Sequence, residues 1–129
     1  ADAEKYIRLV SAPFGALTDA QWRQLTESSL RPSADGHLEM RFDAAGIAES
    51  FRRATTEGEI DLWPIYERIR CPTLVVRGAE SDLLTRETLQ AMASRGPRPE
   101  VVEVPGVGHA PMFMDDAQIG IARRFFLAA

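Results

Sequence analysis

A chain of 129 residues, 45% hydrophobic and 26% charged, suits one soluble globular domain with a modest core. Its formal charge of −4 and pI near 5.2 provide no basic field for nucleic acid, and no apolar run approaches the roughly 18 residues that span a bilayer. The lone cysteine, Cys71, excludes an intrachain disulfide and a multi-cysteine metal site. Ala1-Asp2-Ala3-Glu4-Lys5-Tyr6 carries no charged-then-apolar signal pattern, so a reducing cytoplasm is the expected compartment.

The composition shifts near Trp63: short amphipathic segments precede it, and two strand-like runs with helical patterns follow. Thr18 and Gln21 have the spacing of a capping box, and Leu17 is set to staple onto Trp22. Trp22 and Leu25 mark one face of that helix. Asp35-Gly36 signals a turn, and His37 to Phe42 alternates with period two. Asp43 can cap a helix whose apolar face is Ile47, Ala48 and Phe51. A loop is expected over Ala54–Glu59, then a short turn from Asp61 carrying Leu62, Trp63, Ile65, Tyr66 and Ile69.

Pro72-Thr73-Leu74-Val75-Val76-Arg77-Gly78 is a β-branched run between a proline and a glycine, as expected of a buried parallel strand. Thr85 can cap a helix with Leu89, Met92 and Ala93 on one face, ended by Gly96-Pro97. Val101–Val104 is the second strand. Asp115 or Asp116 starts a last helix, with Ile119, Ala122 and Phe126 predicted inward. Strand, helix, strand, helix implies a right-handed βαβ unit with a covering helix.

Ligands of open α/β sheets gather beyond the carboxyl ends of the strands. Asp82 follows the first strand and His109 the second, so parallel pairing brings both loops to one edge, about one strand spacing (~4.8 Å) apart. A carboxylate there can hold imidazole Nδ1–H and leave Nε2 free as a general base. Gly106 and Gly108 keep bulk away from His109 and allow backbone angles closed to other residues.

Cys71-Pro72-Thr73-Leu74-Val75-Val76-Arg77-Gly78 with Ser81-Asp82, then Gly106-Val107-Gly108-His109-Ala110-Pro111, resembles the C-terminal portion of an α/β-hydrolase of the ester- and lactone-cleaving superfamily. The resemblance runs from Ile69 to Leu127. It implies a partial α/β-hydrolase fold: a mostly helical cap segment over residues 1–66, then the last two parallel strands with flanking helices over residues 67–129. It implies triad roles for Asp82 (acid) and His109 (histidine), and no cofactor or metal. The family's nucleophile sits on a G-x-S-x-G elbow before the acid. None of Ser11, Ser28, Ser29, Ser33, Ser50, Ser81 or Ser94 has that setting, and Cys71 lies at the wrong end of its strand. The nucleophile half is therefore expected to be missing, leaving the chain inactive alone.

Other readings of the same residues stay open. His109 can be a loop histidine bonded to its own backbone, and Asp82 a helix cap. Glu80 is a rival acid, and Ser81 a nucleophile without an elbow. His109 with Asp115 and Asp116 is a weak metal pattern, and His37 is expected in solvent. Trp22, Trp63, Phe14 and Phe51 fit packing better than a binding box. An unpaired strand edge predicts either a separate N-terminal portion as partner or a homo-oligomer. The alternative function is a non-catalytic, self-associating module with a remnant Asp/His pair; a fragment without separate biology is a third. A small acyl substrate is expected only if the N-terminal part is present, and neither nucleic acid nor a membrane is an expected partner.

Overall fold

The computed structural model of the chain describes residues 2–56 and 61–128, apart from the side chains at 44, 51 and 53–56. The first half is built from helices α1 (Asp2–Val10), α2 (Asp19–Ser29) and α3 (Ala44–Thr56), a one-turn α4 (Trp63–Tyr66), and an antiparallel hairpin of β1 (Leu30–Pro32) and β2 (Leu38–Met40). Thr18 caps α2 as the spacing predicts: its hydroxyl accepts from Gln21 N–H, and Thr18 N–H donates to Gln21 Oε1 at 2.8 Å. Two otherwise unpaired helix-end amides are thereby satisfied, so Thr18→Ala should cost about 1 kcal/mol in a urea melt. Trp22 and Leu25 are buried with Ile7 of α1, and Phe14, Leu17, Met40 and Met112 close around them. Arg8 joins α1 to α2, lying 5.6 Å from the Trp22 ring centroid and bonding Glu4 and Asp19. The hydrogen bond from Arg8 holds the Asp19 carboxyl below its ordinary range.

Asp43 caps α3 through Gly46 N–H at 2.9 Å, but that helix continues to Thr56 where a loop is expected from Ala54. The remainder of the expected loop lies outside the described residues. The predicted inward residues Ile47 and Ala48 are exposed, and the Phe51 side chain lies outside the described set. Asp61 accepts from Trp63 N–H at 2.9 Å and so starts α4. Trp63 packs on the edge of Tyr66 and under Arg95, and Tyr66 hydroxyl donates to Met92 carbonyl at 3.0 Å. These contacts tie α4 to the second half of the chain.

The second half carries β3 (Leu74–Gly78), α5 (Arg86–Ser94), β4 (Glu100–Val104) and α6 (Asp116–Leu127). The two strands pair in parallel, with Val76 opposite Val102 and Arg77 opposite Glu103. Leu74, Val76, Val102 and Val104 share one face by strand alternation, and Ile121 of α6 covers it with Val107. Thr85 caps α5 and Asp115 caps α6. On α5 Leu89 is buried and Met92 half-buried, whereas the predicted inward Ala93 is exposed.

The predicted inward face of α6 needs correction as well. Ile119 is 39% and Phe126 78% exposed, while Gln118 and Ile121 are buried. Gln118 turns inward because its side-chain oxygen accepts Phe113 N–H at 2.7 Å, which rotates Ile119 and Phe126 outward. Among the described residues no helix is long and apolar enough to cross a membrane.

Candidate active site

The acid-bearing loop leaves β3 at Gly78 and reaches α5 at Thr85. Its first amides bond the end of β4 and the segment after it: Ala79 N–H donates to Val104 carbonyl at 2.8 Å and Glu80 N–H to Val107 carbonyl at 2.9 Å. Ser81 is buried, and its hydroxyl accepts Leu84 N–H at 3.1 Å, a turn-forming role. Asp82 is exposed. It is not the helix cap, which is Thr85.

The histidine loop, Pro105–Pro111, is gripped on both sides by the first half of the chain. Gly108 N–H donates to Pro13 carbonyl at 2.7 Å, and Gln21 of α2 donates to Met114 carbonyl beyond the histidine. Met112 sits in the α1–α2 core. Gly106 has a φ of +68°, so its left-handed turn uses the freedom that glycine alone has. A Cβ on Gly108 would lie 2.9 Å from Pro13 carbonyl oxygen. The close approach at Gly108 is therefore to the first half of the chain, a role beyond clearing space for His109.

Parallel register brings the Asp82 and His109 loops to one edge of the sheet, as the strand order requires. Gly78, which the sequence pattern marks only as the end of a strand, sets how closely they approach. A Cβ there would sit 2.0 Å from Gly108 carbonyl oxygen and 2.3 Å from that of Val107. His109 is exposed, and among the described residues no hydrogen bond or ion pair joins it to Asp82 or Glu80. Asp115 and Asp116 belong to the start of α6, and no cluster of three metal-ligating side chains occurs among the described residues. Trp22 and Phe14 pack in the first core and Trp63 against Arg95, while His37 and Cys71 are exposed.

The family model for the alpha/beta hydrolase family matches residues 2–122. This chain belongs to the alpha/beta hydrolase family. A 3-hydroxybutyrate-oligomer hydrolase from Cupriavidus necator is 48% identical over 132 aligned positions, which span 96% of this chain and 44% of that protein. An alpha/beta hydrolase from Novosphingobium aromaticivorans superposes with a TM-score of 0.78 at 27% identity, over 99% of this chain and 45% of its own. E-2-(acetamidomethylene)succinate hydrolase superposes at 0.72 and 28% identity, over 98% and 44%. The chain thus spans under half the length of each of these relatives, and its fold is the corresponding part of an alpha/beta hydrolase.

Proposed function

We propose that these residues supply the acid and the histidine of a serine-type alpha/beta hydrolase. His109 is the general base and acid, Asp82 orients it, and residues 1–66 form a cap over the site. The observation that carries this is the parallel β3–β4 register, which brings the loops of Asp82 and His109 to one edge in a chain of this family. In acylation the imidazole Nε2 takes the serine proton and returns it to the leaving alcohol, while the carboxylate holds Nδ1–H and stabilises the imidazolium. The nucleophile and oxyanion-hole amides come from sequence outside these 129 residues, since none of the seven serines stands in a G-x-S-x-G elbow. The lone cysteine supports a cytoplasmic location.

The substrate class proposed is a carboxylic ester or lactone, with a linear oligoester of a short hydroxy acid foremost. The name of the Cupriavidus relative supports that choice, because oligomers of 3-hydroxybutyrate are joined by ester bonds. The test is release of hydroxy acid from a 3-hydroxybutyrate dimer and trimer by the full-length protein. Hydrolysis of both, abolished in His109→Ala, is expected; turnover unaffected by that change would overturn the proposed site.

A second reading is favoured by one observation, the exposure of both Asp82 and His109 without a bond between them. It is a self-associating module with a remnant pair. Leu9, Phe126 and Leu127 are each at least 70% exposed, and among the described residues β3 pairs only with β4. Such surface and such an edge seek cover, from the N-terminal portion or from a second copy. Residues 1–129 expressed alone should therefore sediment as a dimer or larger at micromolar concentration. A sharp monomer with a cooperative melt would count against both kinds of association.

A further inference from the structure

Arg77 is the polar residue in an otherwise apolar strand, and it is 6% exposed. Its guanidinium makes four hydrogen bonds. Nε donates to Leu84 carbonyl at 2.5 Å, Nη1 to Ala79 carbonyl at 2.9 Å and to Glu103 Oε2 at 2.7 Å, and Nη2 to Ser81 carbonyl at 3.1 Å. Glu103, directly across the register and also bonded by Arg86 at 3.4 Å, neutralises the charge. An ion pair that only fastened β3 to β4 would need no more than that. The other three bonds go to carbonyls at 79, 81 and 84, which bracket Asp82 in a loop with no helix or strand of its own. The planar five-donor fork of arginine suits several acceptors at once, and an ammonium cannot span them.

We infer that Arg77 is the positioning residue of the acid loop: by binding three of its carbonyls it fixes where Asp82 stands relative to His109. This rests on the triad roles proposed above. Glu103 anchors the guanidinium from the neighbouring strand, so the framework of the sheet is transmitted to the apex of the loop. Asp82 itself is untouched by Arg77, which acts only through the backbone.

The test measures kcat and KM of the full-length protein on a short activated ester, for Arg77→Met, Arg77→Lys, Asp82→Asn, His109→Ala and the Arg77→Met/Asp82→Asn pair. Misplacement of the acid should lower kcat of Arg77→Met about 10²-fold while KM moves less than about threefold. The double variant should be no slower than Asp82→Asn, because the arginine has nothing left to position. Arg77→Lys should recover part of the loss. It also decides the matter if Arg77→Met does not fold, by showing the same kcat-weighted loss at smaller size. A folded Arg77 variant with wild-type kcat, or losses that multiply in the double variant, overturns the positioning role. If Asp82→Asn and His109→Ala keep wild-type turnover, the triad assignment itself falls, and with it this role.

Discussion

Gly78→Ala should destabilise the protein by about 3 kcal/mol and collapse its turnover, although it adds a single methyl group. The added carbon would lie 2.0 Å from Gly108 carbonyl oxygen and 2.3 Å from Val107 carbonyl oxygen. Both are backbone atoms of the histidine loop, so no rotamer change relieves the overlap. The loop must move, and it is held on its far side by the Gly108–Pro13 hydrogen bond. Displacement therefore separates His109 from the acid loop or breaks the contact with the first half. Gly106→Ala is the control. Its Cβ meets nothing within 4 Å, so it bears only the left-handed backbone cost of about 1–2 kcal/mol. Thermal melts of the two variants, with kcat measured on each, should show a much larger loss at position 78. Equal melting of Gly78→Ala and wild type would mean that the two loops are not in the close contact described.

In the full-length protein, His109→Ala should lower kcat by several orders of magnitude, and Asp82→Asn by about 10⁴-fold with a smaller change in KM. The asparagine is nearly isosteric with the acid but cannot stabilise the imidazolium, and it favours the wrong tautomer. Glu80→Gln is the essential comparison. Glu80 N–H bonds Val107 carbonyl, so its backbone stands against the histidine loop. If the acid is Asp82, Glu80→Gln keeps kcat within a few-fold of wild type. The reverse ranking would move the acid two residues upstream. The two losses at His109 and Asp82 should not multiply, because in the proposed triad the carboxylate works only through the imidazole.

Much of the second half was legible because its signals are local and agree. A β-branched run ending in glycine, capping residues at Thr85 and Asp115, and a Gly-Pro stop each specify a boundary without knowledge of the rest. The capping boxes and Asx caps at Thr18 and Asp43 were legible for the same reason. Helix α1 was not foreseen, since Ile7 is its one buried residue while Tyr6, Leu9 and Val10 face outward. Strand β1 was obscured by Pro32, and only its partner Leu38–Met40 alternates. The face of α6 could not be read from spacing because apolar residues occur on every side of it. Ile119, Ile121, Phe125, Phe126 and Leu127 leave the choice to a hydrogen bond between Gln118 and Phe113.

For the site, strand order was enough to bring Asp82 and His109 to one edge. Sequence did not reveal what holds the two loops in place. Nothing local marks a role for Arg77 within its strand run, and the one clue in the sequence is Glu103 at the matching place in the second run. Gly78 looked like a terminator, and its close approach to Gly108 depends on a register that only the folded chain displays. The grip of Pro13 and Gln21 on the histidine loop is a long-range contact with no periodic signal.

Under the proposed triad this segment carries the histidine and its acid, and the nucleophile lies outside it. Labelling the full-length protein with a fluorophosphonate and locating the modified peptide by mass spectrometry separates this arrangement from a nucleophile within the segment. A labelled serine outside these 129 residues is expected, with labelling slowed by orders of magnitude in His109→Ala. A label on Ser81, or on any of the other six serines of this segment, would contradict it.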